Sequence, residues 1–210
     1  METISGSLIE CGVAALTLPG QRESGDRHVV ARFPHGVLVG VVDGLGHGEE
    51  AATASKIAVE TLELHAQESP ISLIQRCHER LRGTRGAVMS MASFNSTDST
   101  ITWLGVGNVA GVLLHRDAHV IPVQEGFLLR GGVVGDQLPR LYASIIQIAP
   151  GDTLIFATDG IRSGYADNLN VNDIPQRMAD RIMAQYARRT DDALVLVGRF
   201  VEGEDEPQLG

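Results

Sequence analysis

Cysteine is scarce in this chain of 210 residues, which contains only Cys11 and Cys77. The two thiols are far apart and neither belongs to a cluster of cysteine or histidine, so neither a disulfide framework nor a zinc site is indicated. Because free cysteine is among the most buried residue types, we expect both in the core. Aromatic residues make up only 4% of the chain, which leaves no series of rings on which bases could stack.

The chain also has no excess of positive charge and no long apolar run. The formal net charge is -9, whereas nucleic-acid binders usually present a basic face. No apolar run approaches the roughly 20 residues needed to span a bilayer, and residues 1–8 lack the basic and apolar pattern of a secretion signal. We therefore expect a cytoplasmic protein that binds neither nucleic acid nor a membrane and acts on a protein or a small molecule.

The chain does have enough apolar material for a core. Hydrophobic residues make up 43% of it and charged residues 20%, and a chain of this length can bury roughly 70% of its unfolded surface. We expect one domain over residues 1–201. The remaining residues, 202–210, form an acidic tail that we expect to be disordered.

Short apolar segments bounded by turn residues predict strands along most of the chain. The first three, Glu10 to Leu18, Arg27 to Arg32 and Val37 to Val42, are expected to form a meander. Residues 87–115 have strand composition, and residues 124–140 are interpreted as a loop with short strands. Near the end, Ser144 to Ile148 and Thr153 to Ala157 are predicted to form a hairpin through Pro150 and Gly151.

Three segments have the apolar period of a helix. One begins after Gly48 and has a face of small residues, a second begins at Pro70, and a third is predicted over residues 172–188. Strands, two helices, more strands, a helix and a closing strand indicate a layered α/β (α+β) sandwich of mostly antiparallel sheets.

Aspartates stand at the ends of four of these strands. Asp43 and Asp159 each close an apolar strand and precede a glycine, whereas Asp26 and Asp191 each open one. If the second and third strands pair through the turn at residues 33–36, Asp26 and Asp43 face each other on neighbouring strands. Crowded carboxylates repel one another unless a cation lies between them, and oxygen ligands suit Mg²⁺ or Mn²⁺. The sequence therefore predicts a metal site, although any one of these aspartates alone would be interpreted as a turn former.

Four motifs in this order resemble those of PPM-type (type 2C) serine/threonine phosphatases, and the short chain resembles the bacterial SpoIIE-like branch most. They are Gly25-Asp26, Asp43-Gly44-Leu45-Gly46-His47-Gly48, Ala157-Thr158-Asp159-Gly160 and Thr190-Asp191-Asp192-Ala193. The resemblance implies the PPM phosphatase fold, a four-layer α-β-β-α sandwich. It also implies an enzyme that needs two divalent cations, Mn²⁺ or Mg²⁺.

By the same resemblance, Asp43 would bridge two ions, the Gly44 carbonyl and Asp26 would serve one of them, and Asp159 and Asp191 would hold the other. Asp43, Asp159 and Asp191 form the implied catalytic set, which activates water without a protein nucleophile. Asp192 is interpreted as a residue that orients ligands or the adjacent loop. Some relatives carry Gly-Asp where this chain has Gly107-Asn108, so a third metal is not expected.

Several residues near these motifs keep two interpretations. His47 could touch phosphate or have a packing role, and Arg22 or Arg27 could bind phosphate or be ordinary surface arginines. The other histidines are interpreted as surface or boundary residues. Four arginines around the second helix, Arg76, Arg80, Arg82 and Arg85, form a basic patch that is either a solvated face or a docking site for an acidic or phosphorylated partner.

The implied function is dephosphorylation of phosphoserine and phosphothreonine in proteins. The resemblance implies phosphorylated STAS-domain stressosome proteins as substrates, and we expect a monomer. One alternative is a catalytically inactive PPM-fold binding module in a partner-switching pathway, which the intact set of aspartates disfavours. Another is an ATP-binding kinase of the anti-sigma type, which needs a D-x-G-x-G loop where this chain has Leu45 in place of the first glycine.

Overall fold

The computed structural model describes residues 8–117, 119–120, 124–167 and 169–201. These ranges contain ten strands and three helices. In chain order they are β1 (Ile9–Leu16), β2 (Asp26–Phe33), β3 (Gly36–Gly44), α1 (Glu49–Leu64), α2 (Pro70–Leu81), β4 (Ala87–Asn95), β5 (Thr100–Val106), β6 (Ala110–Leu114), β7 (Gln124–Gly126), β8 (Ser144–Gln147), β9 (Thr153–Ala157), α3 (Pro175–Tyr186) and β10 (Ala193–Phe200).

The strands form two five-stranded sheets in which every pairing is antiparallel. Sheet A has the order β1-β10-β9-β6-β7 and sheet B the order β2-β3-β4-β5-β8. One hydrophobic core lies between the sheets, a second between sheet B and helices α1 and α2, and a third between sheet A and helix α3. The predicted four-layer α-β-β-α sandwich is confirmed.

Strand β3 shows how the sequence produces these layers. Its alternate residues Val39 and Val41 pack between the sheets, whereas Leu38 and Val42 pack against the helices. Because both faces are covered, the strand is a continuous apolar run rather than an alternating one. The predicted hairpin with β2 is confirmed, with Asp26 opposite Asp43.

Both helices over sheet B begin where the sequence analysis predicted. Helix α1 buries the alanines of its small-residue face, which lets it lie close to the sheet. In helix α2, Pro70 occupies the first turn and the Ser69 hydroxyl accepts a hydrogen bond from the Ser72 amide at 3.2 Å. The serine cap pairs one of the free backbone N–H groups of the first turn, and the proline removes another.

Two predicted strand pairings are wrong. Strand β1 pairs with β10 in sheet A rather than with β2, so the first three strands do not form a meander. Strands β8 and β9 do not form a hairpin, because β8 pairs with β5 in sheet B while β9 lies between β10 and β6 in sheet A. All five residues of β9 are buried, and such a strand needs partners on both sides, which a two-stranded hairpin cannot provide.

Three further predictions need correction. Helix α3 is shorter than predicted because Pro175 occupies its first turn and Ile174 before it is extended, as proline requires. Cys11 is exposed and only Cys77 is buried. His115, interpreted as a surface or boundary residue, is buried.

The predicted acidic tail, residues 202–210, lies outside the described residues. A single domain over residues 1–201 stays a prediction. Among the helices in the described ranges, none combines the length and the apolar character that crossing a membrane would require.

Candidate metal centre and active site

A cleft of about 490 Å³ opens where the two sheets meet, and the aspartates predicted from the sequence line it. Asp26 and Asp43 come from the paired ends of β2 and β3 in sheet B. Asp159 follows β9, and Asp191 precedes β10, the neighbouring antiparallel strand of sheet A. Because antiparallel neighbours bring the end of one strand beside the start of the next, four carboxylates distant in sequence share one cleft.

Asp26 is held by a hydroxyl from the opposite sheet. Its carboxyl is buried, with 6% of the residue exposed, and Oδ2 accepts a hydrogen bond from Thr158 Oγ1 at 2.8 Å. The same hydroxyl accepts a hydrogen bond from the Leu194 amide at 2.9 Å. Thr158 therefore connects Asp26 of sheet B to strands β9 and β10 of sheet A. Sequence reasoning saw Thr158 only as part of a motif, although a threonine at a buried strand end was a usable signal.

Asp192 is buried and receives two backbone hydrogen bonds. Its Oδ1 accepts from the Leu18 amide and its Oδ2 from the Gly25 amide, both at 2.7 Å. The Gly25 carbonyl in turn accepts from the Gly44 amide at 3.1 Å. Asp192 thus orients the loop that leads into Asp26, which was one of its two predicted roles.

Asp159 and Asp191 are exposed at the mouth of the cleft. Asp159 Oδ2 accepts a hydrogen bond from Asn108 Nδ2 at 2.8 Å. Asn108 stands where the resemblance would place a further carboxylate, and here it is a neutral donor that orients Asp159. Asp191 Oδ1 accepts from the Asp192 amide at 2.9 Å.

Gly44 is required by packing. A Cβ at this position would stand 2.1 Å from the Ala51 carbonyl oxygen of helix α1. This distance is too short for two non-bonded atoms. The glycine therefore lets helix α1 lie close to the end of β3. This requirement is not visible in the sequence, because the approach of α1 is a tertiary feature.

Burial and mutual repulsion disfavour the charged carboxylates in this cleft. Burial, together with repulsion from Asp192, Asp159 and Asp191, raises the pKa of Asp26 to about 7 against the lowering effect of the Thr158 hydrogen bond. Burial, together with repulsion from Asp26 and the other three aspartates, raises the pKa of Asp43 to about 8. A bound cation would offset both effects.

The donor set fits hard divalent cations. The described lining consists of carboxylates, glycine backbone and a few neutral side chains, and no lysine or arginine belongs to it. No group of three or more His, Cys, Asp or Glu side chains in the described ranges is arranged to hold an ion by itself. Carboxylate and backbone carbonyl oxygens are ligands that hard cations such as Mg²⁺ accept, usually together with water.

Of the residues with two interpretations, His47 lines the cleft, and its Nδ1 lies 3.4 Å from Gln21 Nε2. Arg22 lines a different groove, with Gln21 and Lys56. Arg27 lies 3.9 Å from Glu23, and its Nε has no hydrogen-bond partner among the described residues. Neither arginine belongs to the described lining of the acidic cleft, so neither is positioned as the phosphate-binding residue.

A second groove of about 430 Å³ continues from the cleft and shares Asn108 and Asp159 with it. Its wall includes Tyr165 and the exposed Arg188. Sequence reasoning missed this groove because its residues come from strands β6 and β7 and from loops that are far apart in the sequence.

The comparisons with known proteins agree with this architecture. A family model described as Stage II sporulation protein E (SpoIIE) matches residues 34–201. Phosphoserine phosphatase RsbX from Bacillus subtilis (strain 168) is 25% identical over 195 residues, which cover 91% of this chain and 95% of RsbX.

Solved structures give the same result. A structure described as "The bacterial stressosome: a modular system that has been adapted to control secondary messenger signaling" matches with a TM-score of 0.83 and 30% identity, covering 91% of this chain and 99% of its own. RsbX in complex with magnesium matches with a TM-score of 0.82 and 23% identity, covering 95% of this chain and 98% of its own.

The four-layer sandwich is the PPM phosphatase fold, which defines a class of proteins by its architecture. Within that class, the chain belongs to the SpoIIE family. The predicted resemblance to the SpoIIE-like branch is confirmed, and RsbX is among the similar proteins.

Proposed function

We propose that this chain is a phosphoserine and phosphothreonine protein phosphatase that depends on two divalent cations, Mn²⁺ or Mg²⁺. The observation that carries the proposal is the convergence of Asp26, Asp43, Asp159 and Asp191 on one cleft. Their donor chemistry fits hard cations, and the raised pKa values of Asp26 and Asp43 indicate that the carboxylates need positive charge between them.

Each ligand has a proposed role. Asp43 would contribute oxygens to both ions, and the Gly44 carbonyl and Asp26 would serve one of them. Asp159 and Asp191 would hold the other. Thr158 and Asn108 each donate a hydrogen bond to a ligand carboxylate, which fixes the orientation of that carboxylate and leaves its remaining oxygen for the metal.

The catalytic set is Asp43, Asp159 and Asp191. Divalent cations held by these residues would supply the chemistry that lowers the pKa of a water and offsets charge on phosphoryl oxygens, and the water would attack phosphorus in line with the leaving serine oxygen. The protein contributes a rigid sheet edge that fixes the separation of its carboxylates.

As substrates we propose phosphorylated STAS-domain proteins of a stressosome. Support comes from the similarity to phosphoserine phosphatase RsbX and to a structure described in connection with the bacterial stressosome. The acidic character of the chain, with a net charge of -9, supports a protein rather than a nucleic-acid substrate.

The test is hydrolysis of an aryl phosphate by the purified protein with Mn²⁺, with Mg²⁺ and with a chelator. We expect activity that needs metal and that Asp43→Asn lowers by at least about 10³-fold, because a lost bridging ligand removes several kcal/mol of transition-state stabilisation. The matched control is Asp180→Asn on the exposed face of α3, which removes one carboxylate charge outside the cleft. Activity that survives chelation or the Asp43 substitution would contradict the two-metal mechanism.

A further inference from the structure

The basic patch predicted around α2 consists of arginines with different environments. Arg76 Nε donates to Glu68 at 2.7 Å, and Arg82 lies 3.7 Å from Glu79. Both pairs belong to the outer surface of the α2 region. Arg85 differs, because it pairs with Glu50 at the start of α1, next to the loop that carries the metal motif.

The Arg85 guanidinium lies against the rim of the acidic cleft. Its Nε donates a hydrogen bond to the Glu50 carboxylate. Its Nη1 lies so close to Gly46 that a Cβ on this glycine would stand 2.8 Å from it. Gly46 lines the cleft, whereas Arg85 is not among the described lining residues. The positive charge therefore stands just outside the cleft, beside Gly46 on its rim.

The backbone around Arg85 is fixed relative to the cleft. The Leu45 amide donates to the Gly86 carbonyl at 3.1 Å, and the Ala87 amide donates to the Val134 carbonyl at 3.0 Å. The Thr84 hydroxyl accepts from the Gly86 amide at 3.0 Å and closes the turn. The guanidinium is thus presented from a turn that is hydrogen-bonded to the metal loop.

The guanidinium remains available to a ligand. Its side chain is 55% exposed, and the Glu50 hydrogen bond uses Nε, one of five N–H donors of an arginine. Exposed ion pairs contribute only about 0–1 kcal/mol, so a carboxylate from a partner can replace or join Glu50 at small cost.

We propose that Arg85 is a specificity-determining residue that binds a carboxylate near the phosphoserine of the protein substrate. The inference rests on the proposed phosphatase function and adds the chemistry of the flanking sequence. The position outside the cleft favours a flanking side chain over the phosphoryl group, which the metal edge holds. The fixed fork of an arginine suits a carboxylate, with two parallel hydrogen bonds.

The test uses two phosphoserine peptides that differ only at the two positions on each side of the phosphoserine, glutamates in one and glutamines in the other. With Mn²⁺ present, the wild-type enzyme should prefer the glutamate peptide. Arg85→Met should lower the ratio of kcat/KM values for the two peptides by about fivefold, the effect of an exposed charge pair. Arg85→Lys should retain part of the preference, and Arg82→Met, on the same segment but paired with Glu79, should keep all of it.

A second variant separates substrate binding from a structural role. If Arg85 serves only to clamp the metal loop to α1, Glu50→Gln and Arg85→Met should lower turnover of both peptides and of an aryl phosphate equally. That result, or an unchanged peptide ratio in Arg85→Met, would overturn the inference. If Arg85 binds substrate, Glu50→Gln should keep or increase the preference for the glutamate peptide.

Failure of the proposed function would be recognised separately. A wild-type protein without metal-dependent activity on the aryl phosphate or on either peptide contradicts the phosphatase proposal itself. Wild-type activity on all three substrates together with an unchanged peptide ratio in Arg85→Met contradicts only the role of Arg85.

Discussion

Strand β9 has a carboxylate at each end, and the two ends have opposite characters. At its start, Asp152 is 4% exposed and its oxygens contact His115 Nδ1 at 2.9 Å, the Arg116 amide at 2.9 Å and the Ala149 amide at 3.1 Å. Just past its end, Asp159 accepts one hydrogen bond from the side-chain amide of Asn108 and shares its cleft with four other aspartates. At one end the carboxylate has three donors, and at the other end several carboxylates share a cleft with few donors.

Structural and functional acidic residues differ in the number of hydrogen-bond donors around them. A buried carboxylate with several donors stabilises the fold, because each donor replaces a lost water contact. Carboxylates that face one another with few donors cost stability, and the fold retains them where a ligand supplies the missing charge. The apolar run of β9 does not by itself distinguish Asp152 from Asp159, since both flank it, and in the sequence only the motif around Asp159 separates the two.

The largest stability effect is expected at the structural end of β9. Asp152→Ala would leave His115 buried without its partner and the Arg116 and Ala149 amides without their acceptor, which should lower the free energy of unfolding by about 3 kcal/mol. Urea denaturation monitored by circular dichroism measures this, with Asp180→Ala as the surface control. Since Asp152 is far along β9 from the cleft, the folded variant should retain its metal-dependent activity. Unchanged stability would contradict the structural role.

A smaller effect is expected at the hydroxyl that connects the two sheets. Thr158→Val removes the donor to Asp26 and the acceptor for the Leu194 amide while keeping the side-chain shape. The affinity for Mn²⁺ should fall about tenfold, which is typical when a partner of a ligand is lost. Titration of activity against Mn²⁺ concentration measures the change, and Thr158→Ser, which keeps the hydroxyl, is the control. Equal losses in the valine and serine variants would indicate a packing effect instead.

The smallest effect concerns stability in the presence of a chelator. Because the pKa of Asp43 is raised in the folded state, the unfolded chain gives up this proton first as pH rises, and the folded state loses stability between about pH 4 and about pH 8. Asp43→Asn removes this penalty, so its melting temperature should exceed that of the wild type by a few degrees at pH 8 and by less at pH 5.

Mn²⁺ should reverse the order of the melting temperatures of the wild type and Asp43→Asn. With millimolar Mn²⁺, the wild type should gain melting temperature by mass action, whereas Asp43→Asn should gain little. The check is a thermal melt at both pH values with chelator or Mn²⁺. A variant that is less stable than the wild type under chelation at pH 8 would show that Asp43 contributes to the fold as Asp152 does.

Much of the candidate site could be predicted from local pattern. The β2–β3 hairpin follows from two apolar runs around a short turn, and equal distances from that turn place Asp26 opposite Asp43. Asp159 and Asp191 stand at strand ends, where turn residues are expected. These aspartates share one cleft because of the order of the strands in the two sheets. That order could not be predicted from neighbouring segments, as the incorrect meander and the incorrect β8–β9 hairpin show.

The residues that surround the ligands were harder to predict than the ligands. Thr158, Asn108 and Asp192 act through hydrogen bonds to residues 51 to 174 positions away. The same is true of Arg85, which lies in the turn after α2 and whose partner Glu50 lies 35 positions away in helix α1. Local periodicity contains no information about such contacts, because they depend on which loops meet after the sheets have packed.

The amino-acid sequence by itself determined the layered fold class, the strand and helix segments, and the four aspartates that mark the site, because alternation, helical period and turn chemistry act over a few neighbouring residues. Only the tertiary structure decided which aspartate orients a loop, which one completes a buried histidine pair, and which arginine stands beside the cleft. Those roles depend on burial and on partners from distant segments, and burial exists only after the two sheets close on each other.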